Sequence, residues 1–118
     1  MFRELHEIKV YVLTERLSNF IWEIVLQWNY FEKDTVGKQL VRAVDSIGAN
    51  LAESHGRFHY LEKKKFAYYA RGSFEETKSW IRKCKERSLL KPDEIEVVES
   101  YIKEIGPKLN ALINTFKK

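Results

Sequence analysis

Apolar residues return every three or four positions in four separate runs of this chain, and only five Gly and two Pro interrupt its 118 residues. A spacing of three and four is the period of an α-helix that buries one face. So few breakers exclude an all-β fold, which needs a turn roughly every 8–12 residues. The chain therefore reads as all-α, a single domain over residues 1–118 built around one continuous core.

The first run holds Ile8, Tyr11, Val12, Leu17, Phe20, Ile21, Ile24, Val25 and Trp28, and should end near residues 28–30, ahead of Glu32-Lys33-Asp34. Asp34 or Thr35 is then the expected N-cap of helix two, because either side chain accepts from an exposed backbone N–H. Helix two carries Val36, Leu40, Val44, Ile47 and Leu51 and runs to about His55, with Gly56 as its expected left-handed terminator. Helix three begins near Leu61, carries Phe66, Ala70, Ser73, Thr77, Trp80, Ile81 and Cys84, and stops around Arg87. Pro92 suits the first turn of helix four, where its missing N–H costs nothing, and Asp93 and Glu94 favour the positive helix end. Ile95, Val98, Ile102, Ile105, Leu109, Leu112 and Phe116 form its stripe, which Gly106-Pro107 is expected to kink or divide. Short connections place consecutive helices antiparallel, giving an up-down-up-down four-helix bundle.

Two helices carry more than a core stripe. On a wheel of 100° per residue, Gln39, Arg42, Ser46, Asn50 and Glu53 of helix two share a second stripe that Arg57 continues. A third sector gathers Val41, Gly48, Ala49 and Ala52, small residues that permit close approach. A peripheral helix needs one buried face. The surplus reads either as a solvated face with helix-favouring alanines or as a subunit interface through Gln39, Arg42, Ser46, Ala49, Asn50 and Glu53.

Helix three places Lys64, Arg71, Lys78 and Lys85 at seven-residue intervals, with Arg82 beside them, opposite the stripe running from Phe66 to Cys84. Residues 61–90 hold nine Lys and Arg against four Asp and Glu, while the segments on either side are close to neutral. Such a ridge is either a solvated Lys-rich face or a track for a phosphate backbone, with RNA or DNA as partner and affinity that falls with salt. No helix-turn-helix, zinc-finger or RNA-recognition signature accompanies it, so binding would be directed mainly at the backbone. Phe58, Tyr60, Tyr68 and Tyr69 lie nearby; they can stack on bases, but packing is their expected role.

Chemistry has little to draw on. No Glu-x-x-His pair is present, since Arg3, Ala52 and Gly56 stand three residues before His6, His55 and His59. There is no P-loop, no G-x-S-x-G elbow and no H-E-x-x-H. Glu53, His55, Arg57 and His59 are the only acid–base candidates, and a capping and loop role suits them better. No catalytic residue, metal site or cofactor is expected, and Cys84 reads as a small apolar core residue. One cysteine, no apolar run of roughly 18–20 residues and a charged N-terminal segment together point to a cytoplasmic protein without a membrane span.

The motif Gln39-x-x-Arg42-Ala43-x-x-Ser46-Ile47-x-x-Asn50-Leu51-Ala52-Glu53, followed by Gly56-Arg57, resembles the signature of a bacterial four-helix bundle family encoded in intervening sequences of 23S ribosomal RNA genes. Tyr69-Ala70-Arg71-Gly72-Ser73-x-x-Glu76-Thr77 and Lys108-Leu109-Asn110-Ala111-Leu112-Ile113 resemble its later helices, so the similarity spans nearly the whole chain. Ser54 departs from the pattern, standing where the family usually has Gly. The resemblance implies a four-helix fold and a ring-like homopentamer. It also implies a relation to the accessory protein of diversity-generating retroelements, a basic pentameric barrel, and with it a reverse transcriptase or another protein as partner.

Overall fold

Four helices make up the described part of the chain, residues 3–116 of a computed structural model. Helix α1 is Lys9–Leu26, preceded by a 3-10 turn at Leu5–Glu7. Helix α2 covers 30–56, in which a short α-helical piece Tyr30–Glu32 passes through a π-helical turn Lys33–Gly37 into the regular Lys38–Gly56. Helices α3, Tyr60–Glu86, and α4, Pro92–Thr115, complete the antiparallel bundle. Helix α2 packs most extensively on α3, while α1 packs on α2 and α4, and α3 packs on α4. The four therefore form a square in which each helix has two neighbours. Leu17, Ile21, Leu40, Ile47, Ile105 and Leu109 are the largest wholly buried side chains at its centre.

Several local expectations are corrected. Helix α2 begins at Tyr30, not after Asp34. Asp34 pairs with Lys38 at 3.1 Å and the Thr35 hydroxyl donates to the Phe31 carbonyl at 2.6 Å, so both are inside the helix rather than capping it. The π turn takes one more residue than an α turn, which shifts the apolar repeat and makes a continuous helix read as two. It also turns both Val36 and Gly37 inward. A Cβ on Gly37 would stand 2.7 Å from Val25 Cγ1 and 3.2 Å from the Glu32 carbonyl, so only glycine lets α2 lie this close to α1.

Gly56 does not end α2 in the left-handed conformation, because no described glycine has positive φ. The carbonyl end is closed instead by Lys63, whose Nζ donates to the His55 carbonyl at 3.0 Å and the Ser54 carbonyl at 3.4 Å. Ser54 is buried and its hydroxyl donates to the Lys63 carbonyl at 2.6 Å. The residue that departs from the family pattern thus links α2 to α3. The left-handed cap lies at the end of α3, where Ser88 has φ 56°. There the Leu89 N–H donates to the Cys84 carbonyl and the Ser88 N–H to the Lys85 carbonyl, the paired bonds of a Schellman motif. Pro92 opens α4 as expected, with the Glu94 carboxylate accepting from the Lys91 N–H at 2.8 Å. Gly106-Pro107 does not divide α4, which runs on to Thr115. Pro107 is exposed, so the carbonyl it leaves without a helical partner lies on the solvent side.

Between α1 and α2, the Ser18 hydroxyl donates to the Asp45 carboxylate, and Glu15 stands beside Gly48 in the same seam. Burial pushes the Glu15 carboxyl above its ordinary range, and the Asp45 charge pushes it the same way. A raised folded-state pKa means that protons stabilise the fold. The contribution is complete below the unfolded pKa of Glu15 and is lost as pH rises through the folded one. Glu15→Gln is therefore expected to melt higher than the wild type at pH 7, with the two converging near pH 4 (roughly the carboxylate range). Thermal melts across that range check it, and a lower melting temperature for the variant at pH 7 would contradict the assignment.

Candidate nucleic-acid interface

The basic ridge of α3 lies along the seam between α3 and α4. The buried face of α3 is Ala67, Ala70, Phe74, Thr77, Ile81 and Cys84, whereas Phe66, Ser73 and Trp80 are only half-buried. This face is rotated towards the ridge because α3 must contact both α2 and α4. The cations thus flank the core rather than oppose it, and Lys78 Nζ sits 5.4 Å from the centre of the Phe74 ring.

Two adjoining grooves follow this seam. One, of about 220 Å³, is lined by Lys78, Ile81, Arg82 and Lys85 of α3 with Glu99 and Ile102 of α4. The next, of about 360 Å³, is bordered by Arg71, Phe74, Glu75 and Lys78 on one side and Gly106, Pro107 and Asn110 on the other. Four of the five ridge residues therefore line them, with Lys78 shared, while Lys64 lies two turns before Arg71, outside both. Lys85 pairs with Glu99 at 2.6 Å and Lys78 with Glu75 at 3.4 Å. Lys64, Arg71 and Arg82 have no ion-pair partner among the described residues. These pairs are exposed and contribute little to stability, so a phosphate can replace the carboxylates at modest cost.

The polar stripe of α2 bonds largely within its own helix. The Ser46 hydroxyl donates to the Arg42 carbonyl at 2.8 Å, the Asn50 amide to the Ser46 carbonyl at 2.9 Å, and Glu53 pairs with Arg57 at 2.8 Å. Gln39 is half-buried and Ala49 exposed, while Gly48 of the small-residue sector is buried against α1. Arg42 alone of the stripe borders a cleft of about 330 Å³ between α1 and α2, whose apolar walls are Trp22, Val25, Leu26 and Val41. This cleft was legible in part, since Trp22 and Leu26 form an i, i+4 pair off the α1 core stripe.

The four aromatics beside the ridge differ in role. Tyr69 meets the Phe66 ring edge-on at 5.4 Å, and the Arg57 guanidinium carbon lies 4.6 Å from the centre of the Phe66 ring. Phe58, Tyr60 and Tyr68 are not core residues, with 88%, 51% and 48% of their surfaces exposed. The sequence held a signal for Tyr68, which stands four residues after Lys64 and three before Arg71 and so shares their outward side.

Three of the acid–base candidates serve the end of α2: Arg57 pairs with Glu53 and, at 3.7 Å, with Glu62, and the His55 carbonyl accepts from Lys63, while His59 precedes α3 and meets the Phe58 ring edge-on at 5.1 Å. Burial raises the Cys84 thiol to about 11, with the Arg87 charge pulling it down, so the sulfur is protonated at neutral pH. No group of three or more metal-ligating His, Cys, Asp or Glu side chains occurs among the described residues.

The model of the 23S rRNA-intervening sequence protein family matches residues 6–111. The chain belongs to that family. No curated protein matches it. The matched span takes in all or most of each of the four helices and includes the ridge, the seam grooves and the α1–α2 cleft. No described helix is long and apolar enough to cross a membrane.

Proposed function

We propose that this protein is a non-enzymatic, homo-oligomeric module that binds nucleic acid through Lys64, Arg71, Lys78, Arg82 and Lys85, as an accessory to a cytoplasmic nucleoprotein or reverse-transcriptase complex. The observation that carries this reading is the row of five cations along α3, four of them lining the α3–α4 seam and three without an ion-pair partner among the described residues. Each phosphate contacted releases counterions, so affinity should fall steeply with salt. Filter binding with structured RNA and single-stranded DNA tests it. Combined charge reversal of Lys78, Arg82 and Lys85 is expected to weaken binding at least about tenfold and flatten the salt dependence. An unmodified protein that binds neither probe at low salt overturns the reading.

Self-association is supported by the open apolar cleft at Trp22, Leu26 and Val41, and the pentamer by the family likeness. Light scattering during size exclusion should report a mass well above 14.1 kDa. The same cleft favours a second reading, a scaffold for a protein partner. A complex that survives nuclease treatment, from a chain that binds no nucleic acid, would favour that alternative.

A further inference from the structure

We infer that the N-terminal half of α3 is a stacking platform for single-stranded nucleic acid, in which the exposed rings of Tyr60 and Tyr68 hold bases and the neighbouring cations Lys64 and Arg71 hold the strand. The inference rests on the proposed binding by the ridge and extends it to a strand type and a mode of contact.

Tyr60, Lys64 and Tyr68 follow one another at four-residue intervals and Arg71 comes three later, so ring and cation alternate along one side of the helix. The rings are about half exposed, and neither takes part in an aromatic pair within the described chain. Gly72, four residues beyond Tyr68, leaves the next position bare, and a Cβ there would meet nothing within 4 Å. A flat base therefore has free approach to the Tyr68 face. Lys64 and Arg71 have no ion-pair partner among the described residues, while the acids nearest to them in sequence are engaged, Glu62 with Arg57 and Glu75 with Lys78.

The alternation chooses between occupants. Protein interfaces bury aromatic anchors but are depleted in lysine at their cores. A membrane surface needs its apolar side chains gathered on one side and its cations on the other. Here Lys64 stands between the two tyrosines. A single strand offers bases and phosphates together, and aromatic stacking with a cationic track is the ordinary means of holding it. A duplex hides its base faces and offers the phosphates alone.

Fluorescence anisotropy with an oligothymidylate of about 16 nucleotides, and with the duplex it forms with its complement, tests the inference. Tyr68→Ala is expected to weaken single-strand binding by about 5- to 150-fold and to leave duplex binding within about twofold, since only the single strand stacks. Tyr68→Phe should keep the affinity and Tyr68→Leu should lose it, which separates a π-face from mere apolar area. Lys64→Gln with Arg71→Gln should weaken both probes. If Tyr68→Ala changes neither probe while the wild type binds both, stacking is overturned and the basic ridge stands. If the wild type binds neither, the ridge reading falls and this inference with it. If anionic phospholipid vesicles bind more tightly than the single strand and lose that binding in Tyr68→Ala, the platform faces a lipid surface and the inference is wrong.

Discussion

Leu17→Ala is expected to destabilise the bundle by about 2–5 kcal/mol, the range for emptying a fully enclosed leucine site. Leu17 has no exposed surface, and its helix packs on both α2 and α4. The space left by the isobutyl group is thus walled by neighbours held from two sides, which cannot all move in. With unfolding entropy of about 2.1 cal/mol/K per residue, 1 kcal/mol corresponds to roughly 4 °C in this chain, and the loss to about 8–20 °C. A thermal melt followed by circular dichroism reads it directly. Trp22→Ala, five residues onward on the half-exposed side of the same helix, serves as a comparison and should cost much less. Equal losses at the two positions would mean that α1 does not face the core as described.

The second large effect concerns backbone spacing. Gly37→Ala introduces a Cβ 2.7 Å from Val25 Cγ1, and Val25 is itself buried in the core. A branched, enclosed side chain has little freedom to withdraw, and the Glu32 carbonyl at 3.2 Å blocks the other direction. The expected cost is about 1–3 kcal/mol, that of overpacking a tight interior. Gly48→Ala should cost less, because the atom it meets is the far end of the Glu15 side chain. Gly72→Ala should act in the opposite direction and stabilise by about 1 kcal/mol, since it adds helix propensity where no atom stands in the way. Urea titrations of the three variants would rank them, and a neutral Gly37→Ala would show that the π turn can relax away from α1.

The four-helix fold was legible because the 3.6-residue period persists through long runs such as Ile95 to Phe116, and Pro92 followed by Asp93 and Glu94 marks a helix start. Boundaries were less so. The residues 32–34 look like a connection because they are polar, but they lie within a helix whose pitch changes, Asp34 exposed and Glu32 and Lys33 half-buried. Gly56 drew attention to itself as a terminator, while the bonds that close α2 come from Lys63, nine positions after Ser54, and such a contact has no local signature. The five ridge cations could be found by spacing alone. That four of them line a seam, rather than an open back, depended on where α4 packs, which no period within α3 encodes. Tyr60 and Tyr68 are about half exposed rather than core residues for a related reason: residue type suggested packing, whereas exposure follows from their outward position on α3.

The square arrangement has a consequence for the order in which the chain is made. Of the four helices α1 is made before the others, but one of its two neighbours, α4, follows all three. Until then Leu17 and Ile21 have only part of their final surroundings, and the facing side of α3 is open as well. The α2–α3 hairpin, joined by three residues and latched by Ser54 and Lys63, needs no distant segment to form. Nearby contacts of this kind are the first that a growing chain can gain. Assembly would then proceed outward from the middle of the polypeptide, with the arrival of Ile105 and Leu109 closing the ring of helices.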